Sequence, residues 1–460
     1  MKTGKTGKAT KHQQKTTLMK IDIYKMMGAN NSEQQPLPRD DPRPDDLAAA
    51  KKKERVKARW SLLREALIGS QSSAKNNHSM NSFAGFQVLD RTIIQDGDGE
   101  ASAWGFVQNS YTSNNQGRKI QFVTREVKQQ PQQQSQQQCT SQQSSMKSRV
   151  EALLSHRNHG VDNTGNVRVW DAEATLAGFL LSVLLSEEFN DDGDTDLETS
   201  EVTKVIDLRS RIKTALFATD NNGQETACNI LELGAGQAGL AALAVASATT
   251  SLDGMKILHL VLTDGHPKCV ENNEACATLL VPEERKDVNI DSQLLLWDSS
   301  AKGAEECQRI IRECHKPSPE QRSDEGSFHL CLASDCVHFQ EFHDGLFATI
   351  GRTLTVGGVA LLCQPKRGSS LANFVTMIDA VNKGTSNTSN DPLFQMDLLE
   401  DFHPKVSKMH RSLELTTTTS TCYDPNWHRP LLLVMTKLRS FDEGVDGELA
   451  REAAKMYINV

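Results

Sequence analysis

From about residue 161 onward the apolar positions follow two textures, short uninterrupted runs of strand length and longer stretches in which they recur with helical period. The short runs predict strands over 230–233, 257–263, 294–297, 329–333, 359–364, 395–399 and 431–436. The periodic stretches predict helices over 237–248, 267–280, 304–314, 341–354 and 371–382. Five βα repeats imply a mostly parallel sheet with helices on both faces, and ligands then bind at the carboxyl ends of the strands. No helix is predicted between the last two strands, which are expected to pair antiparallel at one edge. Acidic or polar stretches at 187–204, 316–327 and 384–391 are expected to be surface insertions.

The pattern is looser upstream. Val56, Trp60, Leu63 and Leu67 recur at helical spacing beside a basic face, which predicts one amphipathic helix over 51–67. Strand-like pieces follow at 86–89, 103–107 and 119–123. From 129 to 143, ten of fifteen residues are Gln, a composition that cannot bury a core. These shifts divide the chain into a disordered basic tail (1–49), an N-terminal α+β extension (50–128), a Gln-rich disordered insertion (129–147), an α/β domain (148–437) and a C-terminal extension expected to be helical (438–460).

Charge separates the tail from the rest. The 460 residues carry a net charge of -8, yet residues 1–60 hold 15 Lys/Arg against 7 Asp/Glu, which leaves about -16 for residues 61–460. A Lys-rich start with no apolar segment behind it fits a solvated tail better than a targeting peptide. No stretch has the 18 or more apolar residues of a membrane span. The ten cysteines include no C-x-x-C pair, and Cys331 and Cys363 fall in predicted buried strands. That usage predicts reduced thiols in a cytoplasmic or nuclear setting, and neither a metal site nor a disulfide framework. The expectation is a monomer with no nucleic-acid or membrane partner.

The chemistry concentrates where strands end. Residues 229 to 239 read N-I-L-E-L-G-A-G-Q-A-G, an apolar run followed by glycines at 234, 236 and 239 that open an Ala/Leu-rich helix. Such a loop lets backbone approach a ligand at a helix N-terminus. It matches G-x-G-x-x-G, so a dinucleotide-dependent dehydrogenase is one reading. Against it, the acidic residue that should bind a ribose about 20 residues on falls at Asp264, 30 residues after Gly234. Glu232 would also repel a pyrophosphate, whereas a carboxylate there suits a cationic ligand. S-adenosylmethionine has a sulfonium, an ammonium and a ribose whose hydroxyls suit Asp264. The remaining polar strand ends are Trp297-Asp298, an aromatic face and a carboxylate for an adenine, and Ser334-Asp335, where a transferred methyl group would emerge. A polar Gly-containing stretch, Asp162-Asn-Thr-Gly-Asn-Val, leads to Trp170 and a Leu-rich helix.

Several blocks give these residues a family. Asp162-Asn-Thr-Gly-Asn-Val with Trp170, Leu231-Glu-Leu-Gly-Ala-Gly, Leu262-Thr-Asp-Gly, Leu295-Leu-Trp-Asp, Ala333-Ser-Asp-Cys, Pro365-Lys-Arg-Gly and Arg429-Pro-Leu-Leu-Leu resemble the Rossmann-like, seven-strand class I methyltransferases, and more narrowly the calmodulin-lysine N-methyltransferases. The resemblance implies S-adenosylmethionine as cofactor, calmodulin as partner, and a pocket lined by Trp170, Gly234, Ala235, Gly236, Asp264, Trp297 and Ser334. It also implies that Asp335 begins an Asp-x-x-Phe/Tyr substrate motif. A carboxylate beside a lysine favours the charged amine, so Asp335 is expected to orient the incoming chain rather than act as a general base. His338 stands where the motif's aromatic is expected, with Phe339 beside it.

Overall fold

The computed structural model describes residues 85–96, 106–115, 118–127, 169–185, 199–217, 228–249, 252, 258–280, 288–314, 327–386, 391–416 and 423–458. All of them belong to one compact unit, residues 70–460. The expected helix over 51–67, the tail 1–49, the Gln-rich stretch and residues 162–168 lie outside the described residues.

In chain order the elements are β1 (Asp90–Asp96), β2 (Phe106–Asn115), β3 (Arg118–Val127), α1 (Asp171–Leu184), α2 (Thr199–Phe217), β4 (Cys228–Leu233), α3 (Leu240–Thr249), β5 (Leu258–Asp264), α4 (Pro267–Leu280), β6 (Val288–Leu294), α5 (Ala301–Cys314) and β7 (Phe328–Ser334). After a short 3₁₀ turn over Gln340–Phe342 come α6 (His343–Thr353), β8 (Leu354–Pro365), α7 (Ser370–Ser386), β9 (Phe394–Leu399), α8 (Pro404–Thr416), α9 (Pro425–His428), β10 (Pro430–Lys437) and α10 (Asp446–Ile458).

Seven strands form one sheet in the order β6-β5-β4-β7-β8-β10-β9. Neighbours from β6 to β8 run parallel. β10 runs antiparallel to both β8 and β9, between which it is inserted. The central strands read as continuous apolar runs because both faces are covered. Successive side chains point to opposite faces, so the runs feed two separate cores. Ile230, Leu260, Leu262, Leu330, Leu332, Leu361, Leu432 and Val434 pack under α1 and α3. Their chain neighbours Leu231, Val261, Cys331, Ala333, Ala360, Leu362, Leu431 and Leu433 pack under α6, α7 and α10.

A three-stranded antiparallel meander, β1-β2-β3, adds Tyr111, Ile120 and Phe122 to the first core. β3 is tied to α4, where the Asn272 side chain donates to Arg125 O (2.5 Å) and to Gln237 O (2.6 Å). Inside the meander the buried Glu126 carboxylate accepts from Tyr111 (2.7 Å), Thr124 (3.0 Å) and Arg91 (2.6 Å).

Four expectations differ from the structure. Residues 86–89 are not a strand, and the first strand begins at Asp90. The third strand of the large sheet lies over Val288–Leu294 rather than 294–297, so Trp297 stands three residues past its end. The last two strands are separated by α8 and α9, although they do pair antiparallel. Part of the acidic stretch 187–204 belongs to α2.

Candidate active site

The loop after β4 is a left-handed turn built on glycine. Gly234, Gly236 and Gly239 have φ of +62°, +57° and +56°, where a side chain costs about 1 kcal/mol or more. Their surroundings differ. A Cβ at Gly234 would lie 2.8 Å from Cys336 Sγ and 3.1 Å from the Trp297 ring, and one at Gly239 would press on Leu262 at 3.0 Å. A Cβ at Gly236 would meet nothing within 4 Å. Thus 234 and 239 are glycines for packing, while 236 presents bare backbone to open space. The loop is pinned by Ala235 N donating to Thr263 O (2.8 Å) and Gly236 N donating to Asp264 Oδ2 (2.9 Å).

Asp264, at the end of β5, is buried, and its other oxygen accepts from His266 N (2.8 Å). A carboxylate has about four acceptor sites, a number that can include both these backbone bonds and a ribose hydroxyl. Glu232 is different. It is 1% exposed, and its carboxylate accepts from Ala242 N (2.9 Å) at the first turn of α3. Burial raises its pKa to about 7, against which the donating helix amides work. Glu173 of α1 caps the same helix through Leu240 N (3.0 Å); burial and then the Glu232 charge raise its pKa well above the ordinary carboxylate range. Unpaired N–H groups and the positive end of the helix draw both carboxylates under the loop. Glu232 was expected to meet a ligand's cation and to repel a phosphate; the correction is that it is committed to capping α3.

Trp297 lies half-buried with its ring against Gly234. Its loop is held from behind: Arg352 donates to Asp298 O (2.6 Å), and a Cβ at Gly345 would be 2.5 Å from Trp297 O. The Asp298 side chain accepts from Ser300 N (2.8 Å) as α5 begins. At least one of its oxygens therefore serves the helix start rather than an adenine.

At the exit of β7, the Ser334 hydroxyl is buried without a hydrogen-bond partner. Asp335 turns out of the strand with φ +53°. Arg367, in the turn after β8, donates to Asp335 through two nitrogens, Nε to Oδ1 at 3.1 Å and Nη2 to Oδ2. The guanidinium lies 5.7 Å from the centroid of Trp170 and 5.5 Å from that of Trp427. His338 is on the Trp427 side of this cluster, ring centroids 6.5 Å apart, while Phe339 meets Phe342 at 6.3 Å. Arg367 and Trp427 are the participants that sequence reasoning missed. Arg367 was visible only as part of Pro365-Lys-Arg-Gly, and Trp427 carried no signal.

The loop beyond Asp335 is braced from below. Val337 N donates to the Gln364 side chain (3.2 Å), and Val337 O accepts from Ser370 Oγ and from His343 Nε2 (2.8 Å). The carbonyl fixes the proton on Nε2, which leaves Nδ1 to accept from Tyr457 of α10 (2.9 Å). Cys336 donates its thiol to Leu233 O (3.3 Å), linking the β4 and β7 ends.

The four strand ends thus converge on one rim, as the sequence predicts. A dinucleotide-binding sheet in the order 3-2-1-4-5-6 has no reversed strand; here antiparallel β10 is inserted beside β8. This is a class I methyltransferase fold. The open backbone at Gly236, the Trp297 face, Asp264 and the unpaired Ser334 hydroxyl fit S-adenosylmethionine, the cofactor of that fold.

No family model matches the chain. Over 389 residues it is 25% identical to a calmodulin-lysine N-methyltransferase of Arabidopsis thaliana, covering 82% of this chain and 95% of the relative. Among solved structures it is similar to Haemonchus contortus phospholethanolamine N-methyltransferase 2 in complex with phosphomonomethylethanolamine and S-adenosylhomocysteine (12% identity, 52% of this chain and 53% of the other, TM-score 0.27). The DszA carbon methyltransferase is another (14% identity, 64% and 71%, TM-score 0.29). At such TM-scores the strand order, not these matches, identifies the fold.

Proposed function

We propose that the protein is an S-adenosylmethionine-dependent protein-lysine N-methyltransferase, with calmodulin as its substrate and a cytoplasmic or nuclear setting. The observation that carries the reading is Asp335 at the end of the strand next to the Gly236 loop, a carboxylate bound by Arg367, whose guanidinium lies over Trp170 and Trp427 with His338 beside Trp427. Similarity along 82% of the chain to a protein named for calmodulin lysine supports the substrate.

When bound, S-adenosylmethionine supplies an electrophilic methyl group on a sulfonium. The lysine must arrive neutral. From an ordinary pKa of about 10.4, deprotonation at pH 7 costs about 4.6 kcal/mol. Aromatic walls that strip water from the ammonium reduce this cost. Asp335 orients the chain, and the released proton leaves to water.

The test is transfer of labelled methyl from S-adenosylmethionine to calmodulin, repeated with calmodulin whose lysines are replaced singly by arginine. Labelling abolished by one replacement is expected. No label on calmodulin overturns the substrate, and label elsewhere than lysine overturns the reaction.

A further inference from the structure

Asp335 poses an electrostatic problem that the lysine reading alone leaves standing. A bare carboxylate beside a target amine favours its charged form, which cannot accept a methyl group. The structure does not leave that carboxylate bare. Arg367 meets both its oxygens, with side chains only 14% and 10% exposed. Bidentate pairing fixes the direction of the carboxylate as well as offsetting its charge. The guanidinium itself lies over the Trp170 and Trp427 rings. Its backbone is anchored too, with Arg367 N donating to Asn426 O (2.9 Å) and Gly368 N to Asn426 Oδ1 (3.2 Å).

Among the described residues, only Gln87, Asp335 and Arg367 are non-glycine residues with positive φ. Two of the three are bonded to each other. Left-handed backbone at such residues costs about 1–3 kcal/mol each and persists where surrounding structure enforces it. The left-handed backbone of both partners, strained above all at Arg367, points to a geometry the fold maintains.

We infer that Arg367 is a positioning residue that holds Asp335 in place and balances its charge, so that the target lysine meets an oriented carboxylate without being locked as an ammonium. This rests on the lysine methyltransferase reading. Lys366 has its own acidic neighbour, 3.9 Å from Glu400, and so is not the counterion of Asp335. Other titratable groups nearby are Cys336 and Cys363, which feel the Asp335 charge, His338 on the same loop, and His428, which feels Asp171, Arg367 and Asp424. A test must therefore separate Arg367 from the histidines.

Two measurements on the full chain do so. In the first, kcat at saturating calmodulin, which reports ionisations in the bound complex, is followed from pH 6.5 to 10 in wild type, Arg367→Gln and Arg367→Lys. Arg367→Gln is expected to move the rising limb about one unit to higher pH, because an uncompensated carboxylate raises the amine pKa. Arg367→Lys, which keeps the charge, is expected to keep the limb in place while lowering the rate. A pH-independent loss in Arg367→Gln would mean a merely structural role and would overturn the proposal. In the second, n-butylammonium, a lysine side-chain mimic, is titrated into the S-adenosylhomocysteine complex of each protein. Arg367→Gln should bind it about 10-fold more tightly than wild type, in line with one pKa unit, and Asp335→Asn/Arg367→Gln should lose the gain. Equal binding by wild type and Arg367→Gln overturns the inference. This second arm needs no protein substrate, so it decides the role of Arg367 even if calmodulin receives no methyl group.

Discussion

Asp335 and Arg367 lie 32 residues apart in sequence, both in left-handed backbone, and meet through two hydrogen bonds from a guanidinium that also lies over the rings of Trp170 and Trp427. Aspartate is one of the few non-glycine residues that enter this region readily. The fold uses it where the chain must turn sharply out of β7. The pair sits at the end of β7, the strand beside β4 and its glycine loop.

Asp335→Ala is expected to lower methyl transfer to calmodulin by roughly 100-fold or more, the scale set by losing alignment of a reacting group. Cofactor affinity by calorimetry should stay within a few-fold, since both oxygens of Asp335 are engaged by Arg367. Collapse of cofactor binding would move Asp335 from the substrate side of the site to the cofactor side.

Gly236→Arg tests the cofactor pocket with little disturbance to the core, because a Cβ there meets nothing within 4 Å. The left-handed φ adds about 1 kcal/mol of strain, so the melting temperature should fall by only a few degrees. Calorimetric binding of S-adenosylmethionine should vanish. Retained binding would place the cofactor elsewhere.

Gly345→Ala acts on the same pocket from behind. Its Cβ would fall 2.5 Å from Trp297 O, a backbone atom that cannot swing aside. Overpacking of this kind costs about 1–3 kcal/mol, readable in urea unfolding. The displaced Trp297 loop should also weaken cofactor binding. Wild-type values for both would show that the loop yields freely.

Glu232 makes a pH prediction. Its pKa is raised from an ordinary carboxylate value of 4.5 to about 7 by burial. Folding therefore takes up a proton between those values, and the corresponding stability is full below about 4.5 and lost as pH rises through 7. Glu232→Gln can still accept from Ala242 N but does not titrate. Its stability should fall less than that of wild type between pH 5 and 8 in parallel thermal melts. Identical slopes would show that Glu232 is charged throughout this range.

The sequence made the central strands legible because their apolar runs are unbroken; β5 was predicted over 257–263 and lies over Leu258–Asp264. β6 was misplaced for the complementary reason. Asn289, Asp291, Ser292 and Gln293 make it polar on an exposed edge, while the more apolar Leu294 to Trp297 follow it. The helix α8 was missed because its stripe is thin, with Val406, Met409 and Leu413 packing near Phe86 and Tyr423. In the site, the glycines and strand ends were readable from spacing. Glu232 was misread because helix capping is decided by direction, and spacing carries no direction. Arg367 could not be paired with Asp335 before the β7 and β8 ends were placed side by side.

Tyr457 reaches His343, and His343 holds Val337 two residues beyond Asp335. During synthesis the glycine loop, Asp335 and Arg367 all leave the ribosome long before this last support exists. A nascent chain can thus pair its strands before α10 is available to add its part of the support for this loop, beside Gln364 and Ser370. The loop beyond Asp335 is therefore coupled to a helix that begins more than 100 residues downstream, and not only to the strand it leaves.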